Sequence, residues 1–271
     1  MSRVDVRKTH KLFIGGAFPR SESGRTYEVT DSKEQFLANM ALASRKDARD
    51  AVLAARSAVG KWSSATAYNR GQVLYRIAEV MEGRREQFIS EVSDSEGVSS
   101  RKAGAHVDAA IDRWVWYAGW ADKYAQVIGN TNPVAGPFFN FSVPEPTGVV
   151  AAVAPQDASI LGLVSVVAPI IVTGNAVIVM PSSSRPIPAI TLAECLATSD
   201  VPAGVVNILT GAPAEVMPWL AEHADVNALD LTGIVDEGVA ADLERSAAGT
   251  VKRVRGAAPD ADWQGTPSLS R

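Results

Sequence analysis

The first half of the chain spaces its apolar residues with the period of an α-helix. This pattern predicts three helices: one that begins after Ser44, a second over about 68–92 and a third over about 101–126. Ser44 and Asp47 have the spacing of a capping box, which supports the start of the first helix. Ahead of these helices, residues 11–30 are predicted to form two short strands around a turn rich in Gly, Pro and Ser.

The pattern changes at about residue 128, where turn-forming residues become frequent. Phe138, Phe139 and Phe141 stand among them in the segment 128–147. Large apolar residues next to turn formers favour extended chain over helix. We therefore expect a hairpin arm that projects from the rest of the fold.

From Gly148 onwards, short apolar runs alternate with helical segments. The runs GVVAAVAP, AVIVMP, VVNILTG and VNALDLTG predict strands, and the first is apolar on both faces, as in a parallel sheet covered on both sides. Alternating strands and helices of this length predict an α/β fold with a doubly wound, Rossmann-like parallel sheet over 148–251. The sequence turns polar at Lys252, so 252–271 is predicted to be a poorly ordered tail.

Composition and charge exclude several classes of protein. Hydrophobic residues make up 46% of the chain, which excludes wholesale disorder, and 26 basic against 30 acidic residues give no basic face for nucleic acid. The single cysteine, Cys195, excludes an internal disulfide framework and a multi-cysteine metal site. The N-terminus has no signal-peptide core, and the longest apolar run, near 160–172, is interrupted. We expect a cytoplasmic protein without a membrane or nucleic-acid partner.

Candidate chemistry lies at the strand ends, because ligands of doubly wound sheets bind beyond the carboxyl ends of the strands. These ends carry PQDAS, MPSSS, LTGAP and LTGIVDEG. In the last, Gly233 and Gly238 would let the backbone approach a phosphate near the N-terminus of a helix that opens at about Val235. The alternative is that both glycines are structural, since Asp236 and Glu237 would repel an anion.

Few other side chains are candidates for chemistry. His10, His106 and His223 are far apart in sequence and are expected to be solvated surface residues. Cys195 lies on the apolar face of a helix, which predicts a buried thiol rather than a nucleophile. Asp157 directly follows a buried strand and is either a functional residue or a helix N-cap.

Five segments in a fixed order carry a resemblance to a known family. They are KLFIGGAF, EPTGVVAAVAP, APIIVTGNAVIVMPSSS, VPAGVVNILTG and LDLTGIVDEG, and they extend over about 11–240. Together they resemble the aldehyde dehydrogenase superfamily. The resemblance implies that 1–127 and 148–251 form the cofactor-binding domain and that 128–147 is an oligomerisation hairpin. It also implies that the catalytic domain of the family is absent from this chain.

The resemblance implies a cofactor, NAD(P), held between the second strand of the sheet and the loop after LTG. The positions implied to contact it are Pro155, Met180, Pro181, Ser182, Gly211, Thr232, Gly233 and Gly238.

The chain departs from the family pattern at the positions that carry chemistry. The family has Pro-Trp-Asn-Phe-Pro where this chain has PQDAS, so Asp157 replaces an oxyanion-stabilising amide and cannot donate that bond while ionised. Met180 and Ser183 replace the lysine and glutamate that hold the cofactor's ribose. The segment after Val254 lacks the family's Glu-Leu-Gly-Gly, which contains the general base. No catalytic residue is therefore expected, and NAD(P) is expected to bind weakly or not at all.

Three functions are compatible with this pattern. The first is a non-catalytic partner subunit that associates with itself or with a full-length aldehyde dehydrogenase through the hairpin. The second is an NAD(P)-binding module that uses PAGVVN and LTGIVDEG. The third is an NAD(P)-dependent aldehyde oxidoreductase completed by a partner chain.

Overall fold

The fold is built from alternating strands and helices around one parallel sheet. A computed structural model describes residues 7–258 together with Gly265 and Pro267. The strands are β1 (Thr9–His10), β2 (Thr26–Thr30), β3 (Phe36–Ala41), β4 (Asn130–Thr131), β5 (Phe141–Ser142), β6 (Val149–Val153), β7 (Ala176–Met180), β8 (Val206–Ile208), β9 (Ala228–Asp230) and β10 (Arg253–Arg255). The helices are α1 (Arg45–Ser64), α2 (Ala67–Glu82), α3 (Arg85–Glu96), α4 (Ser100–Trp120), α5 (Tyr124–Ile128), α6 (Leu161–Val172), α7 (Ile187–Leu196), α8 (Pro213–Glu222) and α9 (Glu237–Ala248).

The central sheet has the strand order β10-β9-β6-β7-β8, and every pairing in it is parallel. This arrangement confirms the predicted α/β class with a doubly wound sheet. Strands β6 and β7 are buried at every residue, which explains their nearly continuous apolar sequences. Helix α6 is buried at all positions but Ile170, so its sequence shows little helical periodicity.

Apolar side chains cover both faces of this sheet. Along β7, Val177 and Val179 belong to the cluster that packs beneath α2, α3, α4, α6 and α7. Ile178 and Met180 point the other way, into the cluster that includes residues of α1, α8 and α9. The alternation therefore buries all four side chains, two on each face of the sheet.

The N-terminal half differs from its prediction in four places. Of the two strands predicted over 11–30 only β2 forms, and Phe13 and Ile14 make only isolated bridges, with Ile208 and Ala17. Strand β3 was not predicted; it pairs antiparallel with β2 and parallel with β1 in a second sheet. The predicted helix over 68–92 is two helices, because Gly83 ends α2 and its N–H donates to the carbonyl of Glu79 at 3.1 Å. The predicted helix over 101–126 is likewise divided, into α4 and α5. The capping box of Ser44 and Asp47 is confirmed.

The C-terminal prediction also needs correction. The polar segment from Lys252 was expected to be poorly ordered, yet Arg253–Arg255 form β10 and pair in parallel with Ala228–Asp230. Backbone hydrogen bonds to an existing strand end order this segment despite its polar side chains. Most of the predicted tail beyond Ala258 lies outside the described residues.

The predicted hairpin is present between α5 and β6. Strands β4 and β5 pair antiparallel, with Asn130 opposite Ser142 and Thr131 opposite Phe141. Its aromatic side chains are uncovered: the exposed fractions are 74% for Phe138, 78% for Phe139 and 57% for Phe141. Across residues 7–258, none of the helices combines the length and the apolar character needed to cross a membrane.

Candidate functional site

We call the carboxyl edge of the central sheet, with the loops that follow β6, β7, β8 and β9, the strand-end cleft. Backbone hydrogen bonds hold these strand ends together: Ala154 N–H donates to the Met180 carbonyl at 2.9 Å, and Gly233 N–H donates to the Val153 carbonyl at 2.9 Å. The cofactor positions implied by the resemblance occupy these loops. Pro155, Met180, Pro181, Ser182, Gly211, Thr232 and Gly233 are buried, and Gly238 is exposed.

Gln156 closes the gap between the ends of β6 and β7. Its side-chain Oε1 accepts from Ser183 N–H at 3.0 Å and from Ser183 Oγ at 3.2 Å. Its Nε2 donates to the Ala154 carbonyl at 2.7 Å, and its own carbonyl accepts from Ser182 Oγ at 2.7 Å. We call this arrangement the Gln156–Ser183 clasp. The sequence pointed to Gln156 and Ser183 separately, as departures from the family pattern, but gave no sign that they bond to each other.

Met180 does not present its side chain to the cleft. The residue is fully buried, and its side chain belongs to the apolar cluster under α1, α8 and α9. Only its backbone carbonyl reaches the strand end, where it accepts from Ala154. At this position the chain offers no side-chain polar group to a ligand.

The sequence offers two interpretations of the loop after β9, a phosphate site or a structural turn, and the geometry favours the structural turn. Gly233 passes so close to β6 that an added Cβ would lie 2.0 Å from the Ala154 carbonyl oxygen, so glycine is required there for packing. Helix α9 begins at Glu237, two residues later than predicted, with Asp236 as its N-cap. Asp236 Oδ1 accepts from Gly238 N–H at 2.8 Å and from Val239 N–H at 3.0 Å. The amides that would bind an anion are therefore paired with a carboxylate of the chain itself.

Two other cleft residues have distinct environments. Thr232 is 2% exposed, and its Oγ1 has no hydrogen-bond partner among the residues that the structure describes. Gly211 has a φ of +129° and approaches Leu42, so its backbone conformation excludes an ordinary side chain.

Asp157 lies on an exposed turn and is not a helix N-cap. The residue before α6 is Ile160, which makes no side-chain capping bond. The Asp157 backbone carbonyl accepts from the Arg185 guanidinium. The interpretation of Asp157 as a helix N-cap is therefore wrong, because the N-cap position of α6 is held by Ile160.

The Glu96 carboxylate, which is largely buried, holds the loop that carries Asp157. Glu96 Oε1 accepts from Ser159 N–H at 2.8 Å and from Ser159 Oγ at 2.6 Å. Its Oε2 bonds to His106 Nδ1 at 2.9 Å. The His106 side chain is only 13% exposed, so the expectation of a solvated surface histidine is wrong for this residue.

The remaining side chains that the sequence offers as candidates for chemistry are Cys195, His10 and His223. Cys195 is fully buried in α7, as predicted, and burial raises the pKa of its thiol to about 11, against the opposing effect of Arg84. His10 is also buried, contrary to prediction; burial lowers its pKa to about 4, with a further contribution from Lys8. His223 is partly exposed, and its Nδ1 accepts from Asp225 N–H at 3.1 Å. Within the described part of the chain, no three His, Cys, Asp or Glu residues come together as a metal site.

Comparison with known proteins shows which family the sequence of this chain resembles. The model of the aldehyde dehydrogenase family matches residues 18–256. The cytosolic 10-formyltetrahydrofolate dehydrogenase of Pongo abelii is 32% identical over 246 residues, which is 88% of this chain and 27% of that protein. A putative aldehyde dehydrogenase, DhaS, of Bacillus subtilis (strain 168) is 30% identical over 92% of this chain and 50% of its own length.

Solved structures agree with these sequence matches. An NAD+ complex of an aldehyde dehydrogenase from Bacillus cereus has a TM-score of 0.84 at 27% identity and covers 91% of this chain. A betaine aldehyde dehydrogenase mutant from Staphylococcus aureus in complex with NAD+ has a TM-score of 0.83 at 25% identity and covers 90%. This chain spans 50% and 49% of those two chains. The chain belongs to the aldehyde dehydrogenase family.

Proposed function

We propose that the chain acts as a non-catalytic, aldehyde dehydrogenase-like subunit that associates with itself or with a full-length aldehyde dehydrogenase. The observation that carries this proposal is the uncovered aromatic surface of the hairpin. Phe139 and Phe141 contact each other, with ring centroids 5.3 Å apart, yet both rings remain more than half exposed. Contiguous apolar side chains of this size on a short strand pair are typical of an association surface.

The side chains near the strand ends do not support thiol chemistry. An acyl transfer of that kind needs a thiolate nucleophile and donors aimed at the developing oxyanion. Cys195 is fully buried in the core, and burial raises the pKa of its thiol to about 11, so almost none of the thiol is ionised at neutral pH. Asp157 offers a carboxylate, which accepts hydrogen bonds and repels a developing negative charge.

The strand-end cleft also fits NAD(P) poorly. The α9 amides already bond to Asp236, and the Ser183 amide and hydroxyl already bond to Gln156. A nucleotide would have to displace these bonds, whose replacement brings little net gain. The side chain of Met180 adds no polar contact. We therefore infer weak nucleotide binding or none.

One observation favours a second candidate, an NAD(P)-binding module. The Thr232 hydroxyl is buried at the strand end without a partner among the described residues, and a ligand in the cleft would satisfy it. Structural neighbours of the chain are NAD+ complexes. Micromolar or tighter binding of NAD or NADP in a calorimetric titration would support this candidate.

The association proposal is tested by sedimentation velocity on the full chain. We expect the double variant Phe138→Ser and Phe139→Ser to raise the dissociation constant of the oligomer, or of a mixed complex with a full-length aldehyde dehydrogenase, by tenfold or more. The matched control is Tyr68→Ser with Tyr75→Ser, which removes two aromatic rings that are 70% and 52% exposed on α2. Unchanged association in the phenylalanine variant would contradict the proposal.

A further inference from the structure

A groove with exposed aromatic side chains lies between α2 and α4, apart from the strand-end cleft and the hairpin. Its volume is about 900 Å³, and we call it the α2–α4 groove. Tyr68 and Tyr75 of α2 line it, and they are 70% and 52% exposed. Val115, Ala118 and Gly119 line it from α4. Aromatic rings at the surface of a groove can contact a ligand without any rearrangement of the chain.

Glycine residues shape the floor of the α2–α4 groove. A Cβ added at Gly71 would lie 3.0 Å from the Ala118 carbonyl oxygen and 3.2 Å from Ala121 Cβ, so α2 and α4 approach each other closely there. Gly119 is exposed, and a Cβ added to it would meet nothing within 4 Å. The exposed side chains of both helices therefore share one surface, and the missing side chain at Gly119 leaves that surface open to an elongated ligand.

The spacing of the two tyrosines indicates the shape of the ligand. Tyr68 and Tyr75 are seven residues apart in α2, so they lie on the same side of the helix, about 10.5 Å apart along its axis. That distance is about the length of two sugar rings in an extended chain. In a β-1,4-linked chain each pyranose ring is turned over relative to its neighbours, so every second ring presents the same face to one side. The first and third rings of such a chain can each pack a C–H face against one tyrosine.

The charges of the α2–α4 groove favour a neutral ligand with many hydroxyl groups. The Arg76 guanidinium bonds to Glu79 at 2.9 Å, and the Lys123 ammonium group bonds to Asp122 at 2.9 Å. Each cation that the described residues place in the lining is thus paired with a carboxylate, and Asp200 adds a third, exposed carboxylate. The carboxylates repel an anion, and the two basic groups repel a cation. A hydroxyl group both donates and accepts, so it can bond to either member of each ion pair.

We propose that the α2–α4 groove binds a neutral β-1,4-linked oligosaccharide of three or more pyranose rings. Tyr68 and Tyr75 stack on the first and third rings, and Gln72 stands between them on the helix. Gln72 Nε2 donates to Tyr68 Oη at 3.2 Å, which leaves its side-chain carbonyl to accept from a hydroxyl of the middle ring. This activity goes beyond the proposed function and involves neither the strand-end cleft nor the hairpin.

The proposal is tested by ligand-observed NMR titration of the full chain with cellotriose. Cellobiose has only two rings and can stack on one tyrosine, and the α-1,4 links of maltotriose curve its chain away from a straight line. We expect saturable binding of cellotriose with a dissociation constant of about 1 mM or lower. Cellobiose and maltotriose are expected to bind about threefold to tenfold more weakly, since each loses one stacking contact. Absence of saturable cellotriose binding, or equal affinities for the three sugars, would overturn the proposal.

Variants of α2 assign the binding to the two tyrosine rings. Tyr68→Ala and Tyr75→Ala each remove one stacking surface and are expected to weaken cellotriose binding about threefold to tenfold. Tyr68→Phe and Tyr75→Phe retain the rings and are expected to bind within about twofold of the wild type. Equal losses in the alanine and phenylalanine variants would show that the hydroxyl groups hold the sugar, and would overturn the stacking argument.

The matched control is Phe139→Ala, which removes a ring that is 78% exposed on the hairpin, outside the α2–α4 groove. Circular dichroism first verifies that each variant is folded, which is expected because the substituted side chains are exposed. Cellotriose binding that is unchanged in both alanine variants of α2, or that is weakened equally by Phe139→Ala, would show that the sugar binds elsewhere and would overturn the assignment to this groove.

Discussion

The strand-end cleft and the hairpin differ in whether their side chains already have partners within the chain. In the cleft, polar groups of the chain are paired with one another, as in the Gln156–Ser183 clasp and the Asp236 cap. In the hairpin, large apolar side chains are left uncovered. Polar groups that are already paired within the chain gain little from a ligand, whereas exposed aromatic rings gain from contact with another molecule. The contrast supports both proposals, that the chain associates through its hairpin and that its strand-end cleft binds NAD(P) weakly or not at all.

The largest expected effect tests whether Gly233 is a packing residue of the cleft. Gly233→Ala would place a Cβ 2.0 Å from the Ala154 carbonyl oxygen, and β6 is too tightly packed to yield. We expect a loss of about 3 kcal/mol in the free energy of unfolding, measured by urea denaturation.

The matched control for that change is Gly238→Ala in the same loop. An added Cβ there meets only Asp236 Oδ1, at 3.1 Å, and the position is exposed at the start of α9. Its unfolding free energy is expected to change by less than about 1 kcal/mol. Equal effects of the two substitutions would contradict the packing role of Gly233.

The next effect concerns the anchor beneath the Asp157 loop. Glu96→Ala removes the acceptor of Ser159 N–H and Oγ and the partner of His106, all of which are largely buried. We expect a loss of about 2 kcal/mol in stability, together with faster amide hydrogen exchange over 155–160. Glu96→Gln retains an acceptor oxygen and is expected to lose less. Exchange rates that stay at the wild-type value in Glu96→Ala would show that the loop does not depend on this anchor.

A smaller effect is expected from the cap of α9. Asp236→Ala removes the acceptor for Gly238 and Val239 and is expected to cost about 1 kcal/mol. The same change frees two amides toward the cleft, so any binding of NAD should become tighter. Glu237→Ala, at the first residue of α9, is the control, since Glu237 is exposed and does not cap the helix. If Asp236→Ala is as stable as the wild type, the Asp236 carboxylate does not stabilise the loop after β9 by pairing with its amides.

Much of the fold could be predicted from the sequence, and the misses have physical reasons. Strands β6 and β7 are recognisable because burial on both faces demands continuous apolar residues. Strand β3, FLANMA, has no strict alternation, since its pattern combines intermediate and buried residues. Strand β10, RVR, is polar and depends on pairing with β9, which no local pattern reveals.

The site was predictable only in outline. The strand ends could be located from the order of the elements, because the carboxyl ends of parallel strands meet at one edge. The clasp joins Gln156 to Ser183 across 27 positions, and the anchor joins Glu96 to Ser159 across 63. Such pairings depend on tertiary packing. The same is true of His10, whose burial follows from the sheet that β1 joins.

The smallest effect on the free energy of unfolding is expected in the hairpin. Phe139 is 78% exposed, so Phe139→Ser should change the free energy of unfolding by less than about 0.5 kcal/mol. The measurement requires a protein concentration at which sedimentation shows only monomer, because association itself adds stability. A loss above about 1 kcal/mol in the monomer would mean that the ring packs on its own chain.

The most direct test of the central claim is sedimentation velocity of the full chain over a wide concentration range, with and without a large excess of NAD. The account predicts that the mass rises with concentration above the 28.6 kDa of one chain and that NAD leaves this dependence unchanged. A chain that remains monomeric at every concentration, alone and mixed with a full-length aldehyde dehydrogenase, would contradict it. An association that appears only when NAD is present would contradict it as well.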